Sequence, residues 1–399
     1  MPAVARSFGG SAVTDWKGGR MTTIQKDGLL GVSRREVMGL LTGGAVASML
    51  GSRAANAQTG PVPPEKIVSF PLPSSWKTEL KQLAPNFYAY IQGNGPPASG
   101  GGISNACVVV GPDHVMVVDT MSAPASATAL IDAVRKQVGG KPFGRVVNTH
   151  HHGDHVNGNQ WFMPAEIVSH PYCRERVVQM RAAVGPGGTP DPAYGAINAT
   201  FDGKIERRLM PATTTVTDKA TYYYGDTVVE LFHPGIAHTW GDLLLYLPQH
   251  KILFAGDIAF FNMTPFVHNG QATKWVQVLD KILDMDVQTI IPGHGPIGGK
   301  KEVAEMREFY RLLIPEAKKR FDGGMSAARA AATINMGRFT NWMGAERIVQ
   351  NVFRLYCEFD GTLTPLLDEA RFSKVVAEYN AIRKGTSPAA GHGPVDQAG

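Results

Sequence analysis

One stretch, Asn148-Thr149-His150-His151-His152-Gly153-Asp154-His155, indicates both the fold and the chemistry of this chain. Four histidines and an aspartate fall within six residues, directly after a strand predicted over 145–149. Neutral imidazole and carboxylate are usual nitrogen and oxygen ligands of zinc. Such a dense polar cluster is not expected in a core, because unpaired buried polar groups are costly. The stretch therefore predicts a metal-binding loop; the alternative is a solvated histidine-rich surface loop.

Three later residues have the same character. His238, Asp257 and His294 each lie at a predicted strand end or turn beside a glycine. Taken singly, each is more often a turn or capping residue. Their joint occurrence, in this order after the histidine loop, predicts that they complete one metal centre.

In this arrangement the chain resembles the metallo-β-lactamase superfamily. The signature H-x-H-x-D-H begins at His150, and the resemblance covers about Leu83 to Gly298. The superfamily's seven metal positions match His150, His152, Asp154, His155, His238, Asp257 and His294. The resemblance implies an α/β fold, a four-layer αββα sandwich, with the metals at one edge between the two sheets.

The resemblance also implies how two Zn²⁺ ions are held in each chain. One zinc takes His150, His152 and His238, the other takes Asp154, His155 and His294, and Asp257 bridges them. Asp119, which ends an earlier predicted strand, supports the histidine loop from outside the ligand set. Three imidazoles leave a zinc with an open position for water, whose pKa the metal lowers to about 7. Asp154 is also the expected catalytic residue, which orients the attacking hydroxide and receives its proton.

Asp257 favours one branch of the superfamily. One subclass of β-lactamases has cysteine at this position and another lacks an acidic ligand there, whereas an aspartate bridge is the pattern of glyoxalase-type, lactonase and esterase-like members. The predicted function is therefore an exported di-zinc hydrolase of an ester, thioester or lactone, which uses a metal-bridging hydroxide. The alternatives are a β-lactamase, a hydrolytic dehalogenase and a mono-iron sulfur oxygenase; the complete ligand set disfavours the last.

Residues close to the ligands in sequence are candidates for contacting the substrate. Trp240 and Phe261 lie two and four residues beyond ligands, although core packing is the default role of such aromatics. Asn262 could donate to a substrate oxygen or hold its loop. His151 is expected to point away from the metals, and His268 is expected to face solvent.

The chain divides by pattern into five segments. Residues 58–82 form a linker and leading segment before the metallo-β-lactamase domain, 83–299, and a C-terminal helical region, 300–385, precedes a flexible tail, 386–399. Strand-like and helical patterns alternate in the domain, and the Gly/Pro/Ala-rich stretch 184–202 is expected to be a long surface loop.

Residues 1–57 resemble an N-terminal extension with a signal peptide of the bacterial Tat type. Arg34-Arg35 precedes an apolar stretch, Gly39 to Leu50, that is too short to span a bilayer. Ala55-Asn56-Ala57 then offers a cleavage site. We expect Tat export to the periplasm, cleavage after Ala57 and no stable membrane anchor afterwards. The alternative is a chance arginine pair before a membrane anchor, and Met1 or Met21 could be the start.

Charge and cysteine content limit the possible partners. The formal net charge is +5, but 1–57 hold seven basic and three acidic residues, which leaves 32 and 31 for the rest. A nearly neutral body gives no support for nucleic-acid binding, so a small-molecule substrate is expected. Three cysteines, Cys107, Cys173 and Cys357, form no disulfide framework, although one pair could bridge. The oligomeric state stays open.

Overall fold

Two β-sheets stack face to face in the computed structural model, which describes residues 76–93, 104–184 and 208–385. The first sheet contains seven strands in chain order. They are β1 (Glu79–Ala84), β2 (Phe87–Ile91), β3 (Ala106–Val110), β4 (Val115–Val118), β5 (Phe143–Val147), β6 (Glu166–Ser169) and β7 (Thr214–Thr215). Strands β1 to β4 pair antiparallel, and β4 to β7 pair parallel.

The second sheet contains five strands in the order β12-β11-β10-β9-β8. They are β8 (Lys219–Tyr224), β9 (Thr227–Phe232), β10 (Leu244–Leu247), β11 (Ile252–Phe260) and β12 (Thr289–His294). Only the β11–β12 pair in this sheet is parallel. Both strands therefore bring their carboxyl ends to the same edge, where Asp257 and His294 lie.

Strand β4 shows why its sheet is an inner layer. All four residues are buried, and they alternate between two hydrophobic clusters. Met116 and Val118 pack between the sheets, together with residues such as Leu245 of β10. Val115 and Val117 pack on the outer face, against the first helix. A strand buried on both faces reads as a continuous apolar run, as this one does.

Helices cover the outer faces of both sheets. They are α1 (Pro124–Val138), α2 (Gly153–Val156), α3 (Pro171–Val184), α4 (Ala272–Asp284), α5 (Lys300–Asp322), α6 (Ala327–Thr333), α7 (Ile348–Phe359) and α8 (Glu369–Arg383). Leu130 and Val134 of α1 pack on the first sheet, and Trp275 and Leu279 of α4 pack on the second. The predicted αββα sandwich is confirmed.

The C-terminal helices contribute side chains to the hydrophobic core on the outer face of the second sheet. Phe309 and Tyr310 of α5, Ala328 of α6 and Val352 of α7 belong to the same buried cluster as Trp275. These helices are thus packed onto the sandwich through a continuous apolar core, next to the edge that carries the metal-ligand candidates.

Two strand boundaries differ from the sequence predictions. β1 begins at Glu79, inside the segment expected to be a linker. β11 continues to Phe260, so Asp257 lies within a strand rather than at its end. Pairing with β12 is irregular on both sides of Gly256, whose φ is +50°. A bulge of this kind re-aims side chains next to a site, which is how Asp257 reaches the sheet edge.

Some sequence predictions lie outside the described residues: the extension and signal, 1–57, most of the leading segment and of the loop 184–202, and the tail, 386–399. Within the described ranges, no helix has both the length and the apolar character that a membrane span requires. Cys107, Cys173 and Cys357 are all buried and none is in a disulfide.

Candidate metal centre

Seven side chains from four parts of the chain meet at one edge of the sandwich. His150 and His152 lie in the loop after β5, and α2 carries Asp154 and His155. The remaining three are His238 in the β9–β10 connection, Asp257 in β11 and His294 at the end of β12. They form two groups, each able to hold a metal ion: His150, His152, His238 and Asp257, and then Asp154, His155 and His294.

The first group has the spacing of a tetrahedral site. The Nδ1 atom of His152 lies 2.9 Å from Nε2 of His238 and 3.1 Å from Nε2 of His150. Oδ2 of Asp257 lies 3.2 Å from Nε2 of His238. Ligand atoms about 2.0–2.1 Å from a tetrahedral zinc are about 3.3 Å apart. The four donor atoms are therefore arranged around a space of the size of one zinc ion.

Asp257 joins the first group to the second. Its Oδ1 atom lies 3.2 Å from Nε2 of His155, and its Oδ2 atom lies 3.3 Å from Nε2 of His294. Oδ2 of Asp154 is 3.4 Å from Nε2 of His155 and 3.3 Å from Nε2 of His294. One carboxylate thus faces nitrogens of both groups, which is the position that a bridging ligand would take.

Hydrogen bonds fix which nitrogen two of the imidazoles, those of His152 and His150, present to the centre. Nε2 of His152 donates to Oδ1 of Asn269 at 2.8 Å, so Nδ1 is the free acceptor. The Thr149 hydroxyl donates to Asp119, so Nδ1 of His150 donates to that hydroxyl and leaves Nε2 unprotonated. A metal needs the unprotonated nitrogen, and both side chains turn it toward the other ligands.

Three buried atoms of the centre lack partners within the described part of the chain: Nδ1 of His238 and two atoms that face each other. Nε2 of His155 and Oδ1 of Asp257 make no hydrogen bond within the described part of the chain. Leaving a buried polar atom unpaired costs about 1–3 kcal/mol. A cation between these two atoms would satisfy both, so the residues fit a metal.

The charge distribution also suits cations. Burial lowers the pKa of His150 and of His238 well below the usual value, which keeps both imidazoles neutral and able to bind metal. In the second group burial also lowers the histidine pKa values, but the nearby carboxylates raise them by more. They raise the pKa of His155 well above its usual value and that of His294 to about 9. Without a metal, protons would supply the positive charge that these carboxylates attract.

Asp119 lies behind the centre, where the resemblance placed it. It is fully buried, and its φ of +64° is unusual for a residue other than glycine. Its carboxylate accepts hydrogen bonds from the backbone N–H of Thr149, the Thr149 hydroxyl and Nδ1 of His155, at 2.8, 2.7 and 2.7 Å. One carboxylate thus fixes the start of the histidine loop and the orientation of a ligand.

Two glycines let the backbone approach the site closely. A Cβ atom at Gly293 would lie 1.9 Å from Oδ1 of Asp257, and one at Gly256 would lie 2.9 Å from the Thr149 side chain. Neither position has room for a larger residue. The glycines that the sequence shows beside Asp257 and His294 therefore make space for the ligands.

Asn269 and Asn105 hold the centre in place, and sequence reasoning missed both. Asn269 orients His152, as described above. The side chain of Asn105 donates to the carbonyls of Pro292 and Gly295, at 2.8 and 2.9 Å, and so fixes the turn around His294. Neither residue lies in a recognisable motif, and only the fold brings them to the ligands.

Helix α7 holds the loop that carries Asn269. The Asn351 side chain accepts from the Val267 N–H at 3.0 Å and donates to the Pro265 carbonyl at 2.9 Å. Arg354 donates to the Gly270 carbonyl at 2.7 Å. Both side chains are almost wholly buried. Polar residues on the buried face of an otherwise apolar predicted helix are the signal that could have revealed this contact.

The other sequence candidates lie in different environments. His151 is buried beside Tyr172 and belongs to neither ligand group. Trp240 is half-buried, and its indole N–H has no hydrogen-bond partner among the described residues. Phe261 is only 1% exposed and packs in the core, so its expected substrate contact is wrong because the ring has no free face.

Asn262 and His268 take part in contacts with the C-terminal helical region. The Asn262 backbone carbonyl accepts from the Met343 N–H, a main-chain contact that does not involve the Asn262 side chain. His268 does not face solvent as expected. It is half-buried, accepts a hydrogen bond from Gln350 at 2.6 Å, and its ring centroid lies 5.5 Å from that of His152. The packing of α7 on this loop accounts for the difference.

Comparison with known proteins identifies the class to which this site belongs. A family profile described as the metallo-beta-lactamase superfamily matches residues 99–294, a range that contains all seven ligand candidates. Residues 99–294 therefore belong to the metallo-beta-lactamase superfamily.

Similar proteins have varied activities. A linear primary-alkylsulfatase of Pseudomonas sp. is 26% identical over 235 residues, 52% of this chain and 44% of the relative. The alpha subunit of a 2,4-dinitroanisole O-demethylase of Nocardioides sp. is 26% identical over 197 residues, 48% and 53% of the two chains. This chain thus spans about half the length of these two relatives.

A further relative and a solved structure are β-lactamases by name. A metallo-beta-lactamase type 2 of Bacteroides fragilis is 21% identical over 245 residues, 60% of this chain and 88% of the relative. A metallo-beta-lactamase structure from Pontibacter korlensis has a TM-score of 0.47 and 16% identity, and the match covers 59% of this chain and 99% of that one.

Proposed function

We propose that this protein is a hydrolase that holds two zinc ions and cleaves a small carbonyl compound, an ester, thioester or lactone. The observation that carries the proposal is the position of Asp257, whose two carboxylate oxygens face nitrogens of both ligand groups. His150, His152 and His238 would hold one ion, and Asp154, His155 and His294 the other. Bound zinc would supply Lewis acidity and a water of lowered pKa.

Asp154 is the residue best placed to move a proton. Its side chain is 22% exposed, whereas that of Asp257 is 4% exposed. Burial opposes the charged form, but His155 and His294 hold the pKa of Asp154 well below its usual range. Asp154 therefore stays ionised, as a metal ligand must. Its partial exposure, rather than its pKa, makes it the candidate to pass a proton from an attacking water to the leaving group. Asp257, which is almost enclosed, serves to fix the separation of the two groups.

A second candidate is hydrolysis of a sulfate ester. Two linear primary-alkylsulfatases, at 26% and 23% identity, are among the relatives. Sulfate and carboxylate esters both need an activated water and a stabilised anionic oxygen, so one centre could serve either. The aspartate at 257 favours the carbonyl substrates over a β-lactam, as the resemblance implies.

The deciding experiment is a substrate panel on zinc-loaded protein. The panel contains a thioester, a lactone, an aryl ester, an alkyl sulfate, a haloalkane and a cephalosporin, and metal content is measured in the same preparation. We expect two zinc ions per chain and turnover of a carbonyl ester that Asp154→Asn reduces. Turnover of the alkyl sulfate alone would select the second candidate. A single iron with full activity would overturn the two-zinc proposal.

Export to the periplasm is a separate proposal that rests on the sequence of residues 1–57. The Tat machinery would recognise Arg34-Arg35, and cleavage after Ala57 would release the protein without an anchor. Replacing both arginines with lysine should leave the precursor in the cytoplasm. Unchanged delivery of the double variant to the periplasm would show that the Tat assignment is wrong, whatever the enzyme hydrolyses.

A further inference from the structure

Arg347 reaches toward the metal centre from the C-terminal helical region. It is the residue before α7, and its Nη1 atom donates to the Thr264 carbonyl at 3.2 Å. Two backbone hydrogen bonds join this part of the chain to the end of β11: Met343 N–H to the Asn262 carbonyl, and Thr264 N–H to the Met343 carbonyl. The guanidinium is thus held at a fixed place relative to the strand that carries Asp257.

A row of rings connects Arg347 with the first ligand group. The guanidinium lies 5.2 Å from the centroid of the Phe266 ring. Phe266 stacks on His268 with centroids 5.4 Å apart, and His268 lies 5.5 Å from His152. Phe266, His268 and Arg347 are all half-buried, so each keeps an accessible face. Two rings, those of Phe266 and His268, therefore lie between the cation and the ligand candidate His152.

Arg347 has no carboxylate partner of its own. In the described part of the chain no carboxylate oxygen comes within salt-bridge distance of it, whereas Arg307, Arg320 and Arg371 of the same helical region each have such a partner. An arginine keeps its charge even when partly buried. The charge of Arg347 is therefore available to a ligand.

The carboxylates that act on Arg347 at longer range include two of the metal-ligand candidates. Burial lowers the pKa of Arg347, and the carboxylates of Glu346, Asp257 and Asp154 act against that effect. Asp257 and Asp154 would be committed to the two zinc ions, whose four positive charges exceed the two negative charges of these ligands. The metal centre would then carry a net positive charge within electrostatic range of Arg347.

We infer that Arg347 binds an anionic oxygen group of the substrate, a carboxylate or a sulfate, while the scissile bond lies at the metal centre. The inference rests on the proposed hydrolytic function. A guanidinium can bind either group through two parallel hydrogen bonds. The substrate would thus carry a negative charge at one end, and Phe266 would pack beside the connecting atoms.

The test compares two aryl esters that share one leaving group. One is neutral, 4-nitrophenyl acetate, and the other is anionic, 4-nitrophenyl hemisuccinate. Calorimetric titration of zinc-loaded protein with sodium succinate and with sodium sulfate gives a reading that does not depend on turnover. The variants are Arg347→Met, Arg347→Lys and the control Arg338→Met, which removes the same charge from an exposed arginine paired with Glu308.

Arg347→Met should lower the ratio of kcat/KM for hemisuccinate over acetate by about tenfold or more, mainly through KM, because charge-assisted hydrogen bonds are lost. It should weaken binding of succinate or sulfate by a similar factor, and the anion that loses more identifies the natural group. Arg347→Lys should recover part of both effects, and Arg338→Met should match the wild type.

An unchanged ratio together with unchanged anion binding in Arg347→Met would overturn the inference. If the wild-type protein hydrolyses neither ester, aryl esters are excluded as substrates of the proposed hydrolase, and the titrations alone decide on Arg347. Weaker anion binding in Arg347→Met would then still support the anion site, and equal binding would refute it.

Discussion

Nδ1 of His155 lies 2.7 Å from Oδ2 of Asp119, and both side chains are fully buried. The imidazole must donate in this pair, because an ionised carboxylate only accepts. Nε2 of His155 is thereby left unprotonated when a metal is bound, and it points at Asp257 and Asp154. Carboxylate partners of this kind orient ligating histidines and raise their basicity.

The first prediction concerns that pair. Asp119→Asn keeps the size of the side chain but removes its charge. Asp119 accepts three hydrogen bonds, two from Thr149 and one from His155, on two carboxylate oxygens. An asparagine has only one acceptor oxygen, because its other terminal group is an NH2 donor. We expect metal affinity to fall by about 10–100-fold, at the site of His155 first. Competition with a chromophoric chelator measures the zinc affinity of each site. Asp113→Asn, in an exposed turn, is the matched control; equal affinities in the two variants would show that Asp119 has no role at the centre.

The second prediction separates two adjacent histidines. Nδ1 of His152 faces the ligand group, whereas His151 packs beside Tyr172 and belongs to neither group. His152→Ala should lose one metal ion and most activity, and His151→Ala should keep both to within about tenfold. Metal analysis and turnover measured on the same preparations check this. Similar losses in the two variants would refute the ligand assignment for the whole loop.

The sequence pattern picked out all seven residues that the fold brings together, because each lies in a short local pattern, such as the run from His150 to His155. It predicted the layers because β4 and the helices have clear apolar patterns. It placed Asp257 at a strand end because the bulge at Gly256 depends on pairing with β12, which is a non-local contact. Asn269 and the contact of α7 with its loop were missed for the same reason, since 82 residues separate Asn269 from Asn351.

The third prediction tests the contact between α7 and the loop that carries Asn269. Asn351→Ala removes two buried hydrogen bonds, to Val267 and Pro265, and leaves their backbone groups unpaired. We expect the free energy of unfolding to fall by about 2–4 kcal/mol, measured by urea denaturation, with weaker zinc binding at the site of His152. Asn380→Ala, on the exposed face of α8, should change neither. Wild-type stability of Asn351→Ala would mean that α7 does not hold the loop.

The fourth prediction concerns removal of the metals. The ligand groups place two carboxylates and five imidazoles together in a largely buried space. Without metal ions only protons on the histidines balance the carboxylates, and several buried atoms stay unpaired. Because a metal that binds only the folded state stabilises it, dialysis against a chelator should lower Tm by several degrees. Adding zinc back should restore Tm with two equivalents per chain. A Tm that does not respond to chelation would contradict a metal centre at this edge.

The last prediction concerns the bridge. Asp257 faces both ligand groups, and Gly293 leaves room for its Oδ1 atom. Asp257→Asn preserves the shape but removes the charge, and a neutral amide binds two cations poorly. Zinc should therefore dissociate from one site before the other, and activity should fall by at least about 10–100-fold.

Asp257→Cys is the companion variant, because a thiolate is a good zinc ligand. It should retain zinc better than Asp257→Asn and shift the preferred substrate. If Asp257→Asn holds two zinc ions with wild-type affinity and turns over normally, another acidic group must bridge the metals. Asp242 is a poor replacement, because both its oxygens already accept hydrogen bonds from Thr239, at 2.9 and 2.6 Å.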